Sequence, residues 1–407
     1  MTPEQAKPYL YSLLKAMLGK KASDLFLSND FPPSMKVDGK MTPITAQKLT
    51  PIHTRALAHV VMNDKQRAEF ETEKESNFAI SPEGIGRFRV NVFVQQGHVG
   101  IVMRTITTLI PKFDELRLPP VLKDVSLTKR GLVILVGGTG SGKSTSLAAM
   151  VDFRNENSYG HIITIEDPVE YVHRNKNCLI THREVGSDTN TWFAALKNTL
   201  RQAPDVILIG EIRDRETMEY AVAFAETGHL CMATLHANSA NQALDRIINF
   251  FPEERRAQLL MDLSLNLKAV VSQRLVPRAD GQGRRAAIEI LLNSPFVADL
   301  IFKGEVHAIK ELMAKSREMG MQTFDQALYE LYETGEVGYE DALRNADSLS
   351  ELKLNIKLNS KRARTDDQRP KRELTLHEEP KPEEAVPEPF TPTPSTRAPL
   401  SQASAAK

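Results

Sequence analysis

Gly137-Gly138-Thr139-Gly140-Ser141-Gly142-Lys143-Ser144-Thr145 is a run whose residue types and spacing suit a triphosphate. It fits the pattern G-x-x-x-x-G-K-[ST] at every fixed position, with a short apolar stretch before it and a helical stretch after it. The glycines let main-chain N–H groups converge on phosphate oxygens. Lys143 is placed to reach the β and γ phosphates, and the Ser144 hydroxyl to bind Mg²⁺. The helix that opens at Lys143 adds a favourable dipole. A Gly-rich turn that binds nothing is the plain alternative, and the context of strand, loop and helix argues against it.

Hydrolysis also needs a group that orients water and a second anchor for the metal. Two acidic clusters fall at the ends of apolar runs, where open α/β sheets place their ligands. One is Glu166-Asp167-Pro168-Val169-Glu170, after HIITI. The other is Glu211, in ILIGEIRD. A helix cap or a surface charge is the ordinary role of one such carboxylate. Several beside a phosphate loop point to catalysis. His229 and His236 bracket HLCMATLH seven residues apart, so along a strand they point to opposite faces and do not make a common metal site. A third set is basic. In GRFRVNVFV, Phe88, Val90 and Val92 alternate with Arg87, Arg89 and Asn91, and Arg104 ends the next strand, GIVMRTI. One sheet face therefore gathers several arginines.

The elements that position these groups change character along the chain. Residues 1–110 read as a small α+β domain: an amphipathic N-terminal helix, short strands, and an Asp38-Gly39 hairpin turn. Residues 111–130, with IPKFDELRLPP, suit a linker. From residue 131 to about 290, GLVILVG, HIITIED, DVILIGE and HLCMATLH are runs suited to parallel strands buried on both faces. Helical patterns alternate with them, which indicates an α/β core. Ser239 is placed to cap SANQALDRIINFF. After His236 the pattern reads as helical, with EERRAQLLMDLSLNLKAVVSQRL as one long helix and further helices over 291–358. Residues 359–407 hold eight prolines and almost no apolar clusters, the composition of a disordered tail.

Bulk composition removes several classes. The chain of 407 residues is 41% hydrophobic and 26% charged, with 52 basic and 52 acidic side chains. Zero net charge argues against a generally basic nucleic-acid binder. Cys178 and Cys231 stand alone, which excludes a zinc ribbon. No apolar run has the length of a membrane span, and the N-terminus lacks a signal-peptide pattern, so a cytoplasmic protein is expected.

LVGGTGSGKSTSLAAM, ITIEDPVEYVH, ILIGEIRDRETMEYAVAFAETGH and TLHANSANQALDRIINFFP together resemble the Walker A, Asp box, Walker B and His box of the secretion ATPases of the type II/type IV pilus superfamily. Over residues 1–345 the chain is most similar to the PilT/PilU retraction group. The resemblance implies a PAS-like α+β N-terminal domain and a RecA-like P-loop core. It also implies an ATP-driven homo-hexamer that powers pilus retraction and twitching motility. It matches Glu170 to the base for water and Glu211, with Ser144, to the Mg²⁺ site. Glu166 and Asp167 fall within the same Asp box at the nucleotide. His229 matches a His-box residue near the γ phosphate, with His236 its companion. Arg89 and Arg104 match N-terminal arginines that reach nucleotide. Implied partners are a PilT-like ATPase and a PilC-like inner-membrane platform protein, with no direct nucleic acid and membrane contact only through partners.

Gly138 stands where PilT-type loops carry proline. The segment Val297-Ala298-Asp299-Leu300-Ile301-Phe302-Lys303 aligns with AIRNLIRE but lacks its arginines and asparagine. These departures, with the Pro/Glu-rich tail, favour a PilU-like accessory motor. Two readings stay open beside it: a nucleic-acid translocase on a RecA-like core, and a regulatory nucleotide-binding partner with minor hydrolysis.

Overall fold

The computed structural model describes residues 2–37, 39–106 and 109–362. The chain is α/β, built on two sheets. The N-terminal lobe opens with α1 (Pro3–Gly19), whose Leu10, Leu13, Leu14 and Met17 recur at helical spacing and are buried. β1 (Asp24–Leu27), β2 (Ser34–Val37), β3 (Lys40–Pro43), β4 (Glu75–Ile80), β5 (Arg87–Gln95) and β6 (His98–Ile106) form an antiparallel sheet in the order β3-β2-β1-β6-β5-β4. The β2–β3 hairpin pairs Val37 with Lys40. Asp38 of the expected turn lies outside the described residues. α2 (Pro51–Val61) and α3 (Asp64–Glu73) share a core with α1 and with Phe88, Val90 and Val92 of β5. The helices thus take one face of β5 and leave Arg87, Arg89 and Asn91 on the other.

Within residues 111–130, Phe113 and Leu118 are buried and α4 (Val121–Leu127) forms a turn of core. The second lobe then alternates strand and helix: β7 (Gly131–Val136), α5 (Lys143–Asn157), β8 (Gly160–Glu166), β9 (Cys178–Glu184), α6 (Trp192–Thr199), β10 (Val206–Ile209), α7 (Arg215–Glu226), β11 (Leu230–Leu235) and α8 (Ala240–Asn249). α9 (Glu253–Asn266), β12 (Leu267–Pro277) and β13 (Arg284–Leu292) follow. The sheet order is β13-β12-β7-β11-β10-β8-β9, parallel except for the β12–β13 pair. β7 shows why these strands are apolar throughout. Leu132, Ile134 and Val136 pack into a core with α6 to α9, while Val133 and Leu135 pack on the opposite face with α4 and α5. The Ser239 side chain caps α8 by accepting from Gln242 N–H, at 3.3 Å.

Two expectations require correction. The segment read as one long helix turns at Leu267 into β12, the strand beside β7, and the region read as wholly helical also contains β13. α10 (Pro295–Lys303), α11 (Ile309–Lys315), α12 (Phe324–Glu333), α13 (Tyr339–Arg344) and α14 (Leu349–Asn359) complete the described chain. Both lobes belong to one compact unit that ends at Lys361. The expected tail lies outside the described residues from residue 363 on. Among the described residues no helix is long and apolar enough to cross a membrane. Cys178 and Cys231 are free and buried.

Candidate active site

The phosphate loop is shaped by two glycines that no other residue replaces cheaply. Gly137 has φ +155°, and a Cβ there would lie 2.4 Å from Ser141 Oγ and 2.6 Å from the Gln273 carbonyl. Gly142 has φ +85°, and its Cβ would lie 2.7 Å from Gln273 Nε2. Gln273 is the brace. Its amide donates to the Ser141 carbonyl at 2.8 Å, and its Oε1 accepts from the Ser146 hydroxyl at 2.7 Å. It reaches the loop because β12 runs parallel beside β7. Lys143 Nζ donates to the carbonyls of Gly137 and Gly138, at 2.7 and 3.0 Å. Burial lowers its pKa, against the opposing charges of Glu211 and Glu170.

Around this loop lies a cleft of about 480 Å³, in the usual range for a small-molecule site. Thr139 to Thr145 line it on one side, with Glu166, Asp167, Glu170, Glu211 and His236 opposite, and Arg89 enters from the N-terminal lobe. The carboxylates converge because β8 and β10 are adjacent and parallel, so both end at the same edge of the sheet. Glu211 is held by Arg213 Nε at 2.8 Å and His236 Nε2 at 3.3 Å. Burial and the Lys143 charge lower the His236 pKa. The ring approaches Glu211 through Nε2. Burial pushes the Glu166 carboxyl up to about 7, with the Glu170 charge adding to the rise, while the Glu170 N–H, the Thr164 hydroxyl and Arg87 oppose it. The Glu170 N–H donates to Glu166 Oε2 at 3.2 Å. Thr145 and Tyr171 join through their hydroxyls at 2.9 Å, tying α5 to the chain after the acidic cluster.

Two expected residues are not brought into the cleft. His229 precedes β11, at the end of the sheet remote from the phosphate loop. Its Nδ1 lies 3.0 Å from Thr227 Oγ1, and its carbonyl accepts from Gly131 N–H. A role near the γ phosphate of this subunit is corrected accordingly: six strand residues, Leu230 to Leu235, separate His229 from His236. Arg104 pairs in register with Arg89, but its Nε donates to Asp24 Oδ1 at 2.8 Å rather than toward the cleft. The adjacent strand β1 thus takes up its charge.

Comparison with known proteins gives this geometry its family. Residues 4–367 match the family model for type II/IV secretion system proteins. The type IV pilus ATPase PilU of Pseudomonas aeruginosa is 63% identical over 86% of this chain and 91% of its own length. The retraction ATPase PilT of the same organism is 44% identical over 80% of the chain and 94% of its own. The chain belongs to this family, in its PilT/PilU branch. A crystal structure of the pilus retraction motor PilT with bound ADP superposes with a TM-score of 0.79, at 39% identity, covering 84% of this chain and 98% of that one. As a member of the branch the chain is a P-loop ATPase of the pilus retraction kind.

Residues at the PilT-like site that sequence motifs did not single out are Gln273, Arg213, Tyr171 and Glu184. Gln273 was hidden by the mistaken helix. The departure at Gly138 is benign for the loop, because a Cβ there meets nothing within 4 Å. The segment aligned with AIRNLIRE is α10, which buries Val297 and Ile301 and exposes Phe296 and Phe302.

Proposed function

We propose that this chain is the subunit of a homo-hexameric ATPase that powers type IV pilus retraction, as a PilU-like accessory to a PilT-like motor at an inner-membrane platform protein. Its place would be the cytoplasmic face of that membrane, reached through partners. One observation carries the reading: phosphate loop, acidic cluster and Glu211 from one lobe share a cleft with Arg89 from the other.

The donor set fits Mg²⁺. Ser144 and Glu211 offer oxygen ligands only, which suit a hard divalent cation bound chiefly through phosphate oxygens. Among the described residues no cluster of three or more His, Cys, Asp or Glu could hold a metal alone. Mg²⁺, when bound with nucleotide, would neutralise phosphate charge. Lys143 exchanges its two loop carbonyls for phosphate oxygens. Glu170, exposed at the cleft wall, orients the attacking water. Arg89 offsets the charge that develops on the transferred phosphoryl group. His236 and Arg213 keep Glu211 turned to the cleft. A ligand that holds both lobes favours one lobe arrangement over another, and that difference does mechanical work.

Lys143→Ala and Glu170→Ala are each expected to cut turnover by roughly a hundredfold or more. Steady-state ATPase assays check this, run alone, with a PilT-like partner and with DNA. Wild-type hydrolysis by Glu170→Ala would remove its role. Stimulation by DNA would favour a translocase. Pilus retraction in cells carrying Lys143→Ala, with and without an active partner motor, tests the accessory role.

A further inference from the structure

Glu184 ends β9, the edge strand of the ATPase sheet, and no motif gives it a task. Its side chain is only 6% exposed, and it receives donors from two lobes. Glu184 Oε2 accepts from Arg87 Nη2 of β5 in the N-terminal lobe. The same oxygen accepts from Val169 N–H at 3.0 Å. Val169 is itself buried and immediately precedes Glu170. Oε1 accepts from the Ser187 hydroxyl at 3.2 Å, which fixes the carboxylate plane. One buried carboxylate therefore joins an N-lobe guanidinium to the main chain of the acidic loop. Only one guanidinium nitrogen engages it, and Arg87 Nε is buried without a hydrogen-bond partner. A permanent structural pair usually takes the two-pronged form.

Arg87 and Arg89 lie two apart on β5 and share a face. Whatever draws Arg89 toward nucleotide moves Arg87 with it. We propose that Glu184 is a positioning residue, a clasp that ties the loop carrying Glu170 to Arg87, so that the seating of the N-terminal lobe sets where Glu170 points. The inference rests on the reading of Glu170 as the residue that orients water. It extends that reading to how lobe closure switches hydrolysis on.

The test uses the full chain and the variants Arg87→Lys, Glu184→Gln, their combination, and Glu170→Gln. Glutamine at 184 still accepts from Val169 but loses the charge that holds Arg87. Amide hydrogen exchange over residues 166–172 is expected to quicken in both single variants. Because a small misplacement of a catalytic group is costly, kcat should fall roughly tenfold or more. KM for ATP should stay within about twofold, since the phosphate contacts are untouched. The combined variant should be no slower than the worse single one, as for groups that act as a unit. Unchanged exchange in Arg87→Lys overturns the clasp, as do kcat losses that multiply in the combination. Should Glu184→Gln fail to fold, Arg87→Lys alone decides. Glu170→Gln separates the two claims. If it turns over normally, the role of Glu170 falls, while faster exchange in Arg87→Lys still supports the clasp.

Discussion

At the scale of single residues, the phosphate loop shows which glycines its pattern demands. Gly142 sits at φ +85° against the Gln273 amide, whereas Gly138 adopts no left-handed conformation and faces open space. A side chain at 142 therefore meets backbone strain of about 1–2 kcal/mol before any clash, and the clash itself displaces the amide that holds Ser141. Gly142→Ala is expected to lose nucleotide binding. Gly138→Ala should keep it and gain about 0.5–1 kcal/mol in stability, because it restricts the unfolded chain. Nucleotide titration by calorimetry and a denaturant melt check the pair. Equal loss in both would mean the loop refolds around its ligand.

At the scale of elements, the sequence was legible where a motif or a period of one kind ran without interruption. GLVILV and LCMATL are bounded by glycine or histidine and apolar on both faces, and each is a single central strand. The alternation in RFRVNVFV separated the basic face of β5 from its core face. The α9–β12 junction defeated the same reasoning. Leu259, Leu263 and Leu267 continue a helical period up to the turn, and neither glycine nor proline marks the change. The signal that remained was local, the β-branched pair Val270-Val271, which sheet neighbours on both sides bury completely. Gln273 went unread for that reason. So did Glu184, whose strand β9 carries polar residues in all of its last four positions. The placement of β12 has an energetic consequence. Gln273→Leu removes both the donor to the Ser141 carbonyl and the acceptor for the Ser146 hydroxyl, leaving two buried polar groups unpaired at about 1–3 kcal/mol each. The cost should fall on the loop that Gln273 braces. A drop in melting temperature together with a rise of roughly tenfold or more in KM for ATP is expected, and an unchanged KM would show that the loop holds its shape without β12.

At the scale of the whole molecule, one ligand is asked to bridge two lobes, and mass action makes that measurable. A nucleotide analogue that resists hydrolysis, at a hundred times its Kd, should stabilise the protein by about 2.7 kcal/mol. The concentration that gives a fixed rise in melting temperature reports affinity directly. Arg89 lies in β5, remote in sequence from Lys143, yet both line the cleft. A charged hydrogen bond is worth about 1.5–3 kcal/mol, so Arg89→Ala should require more than about ten times the analogue for the same rise. Arg104→Ala makes the contrast. Its guanidinium is held by Asp24 outside the cleft, so the titration should stay where it is while intrinsic stability shifts through the lost pair. If Arg89→Ala titrates like the wild type, the N-terminal lobe does not touch nucleotide in its own subunit. The force-generating closure would then have to be built from a neighbour's arginines instead.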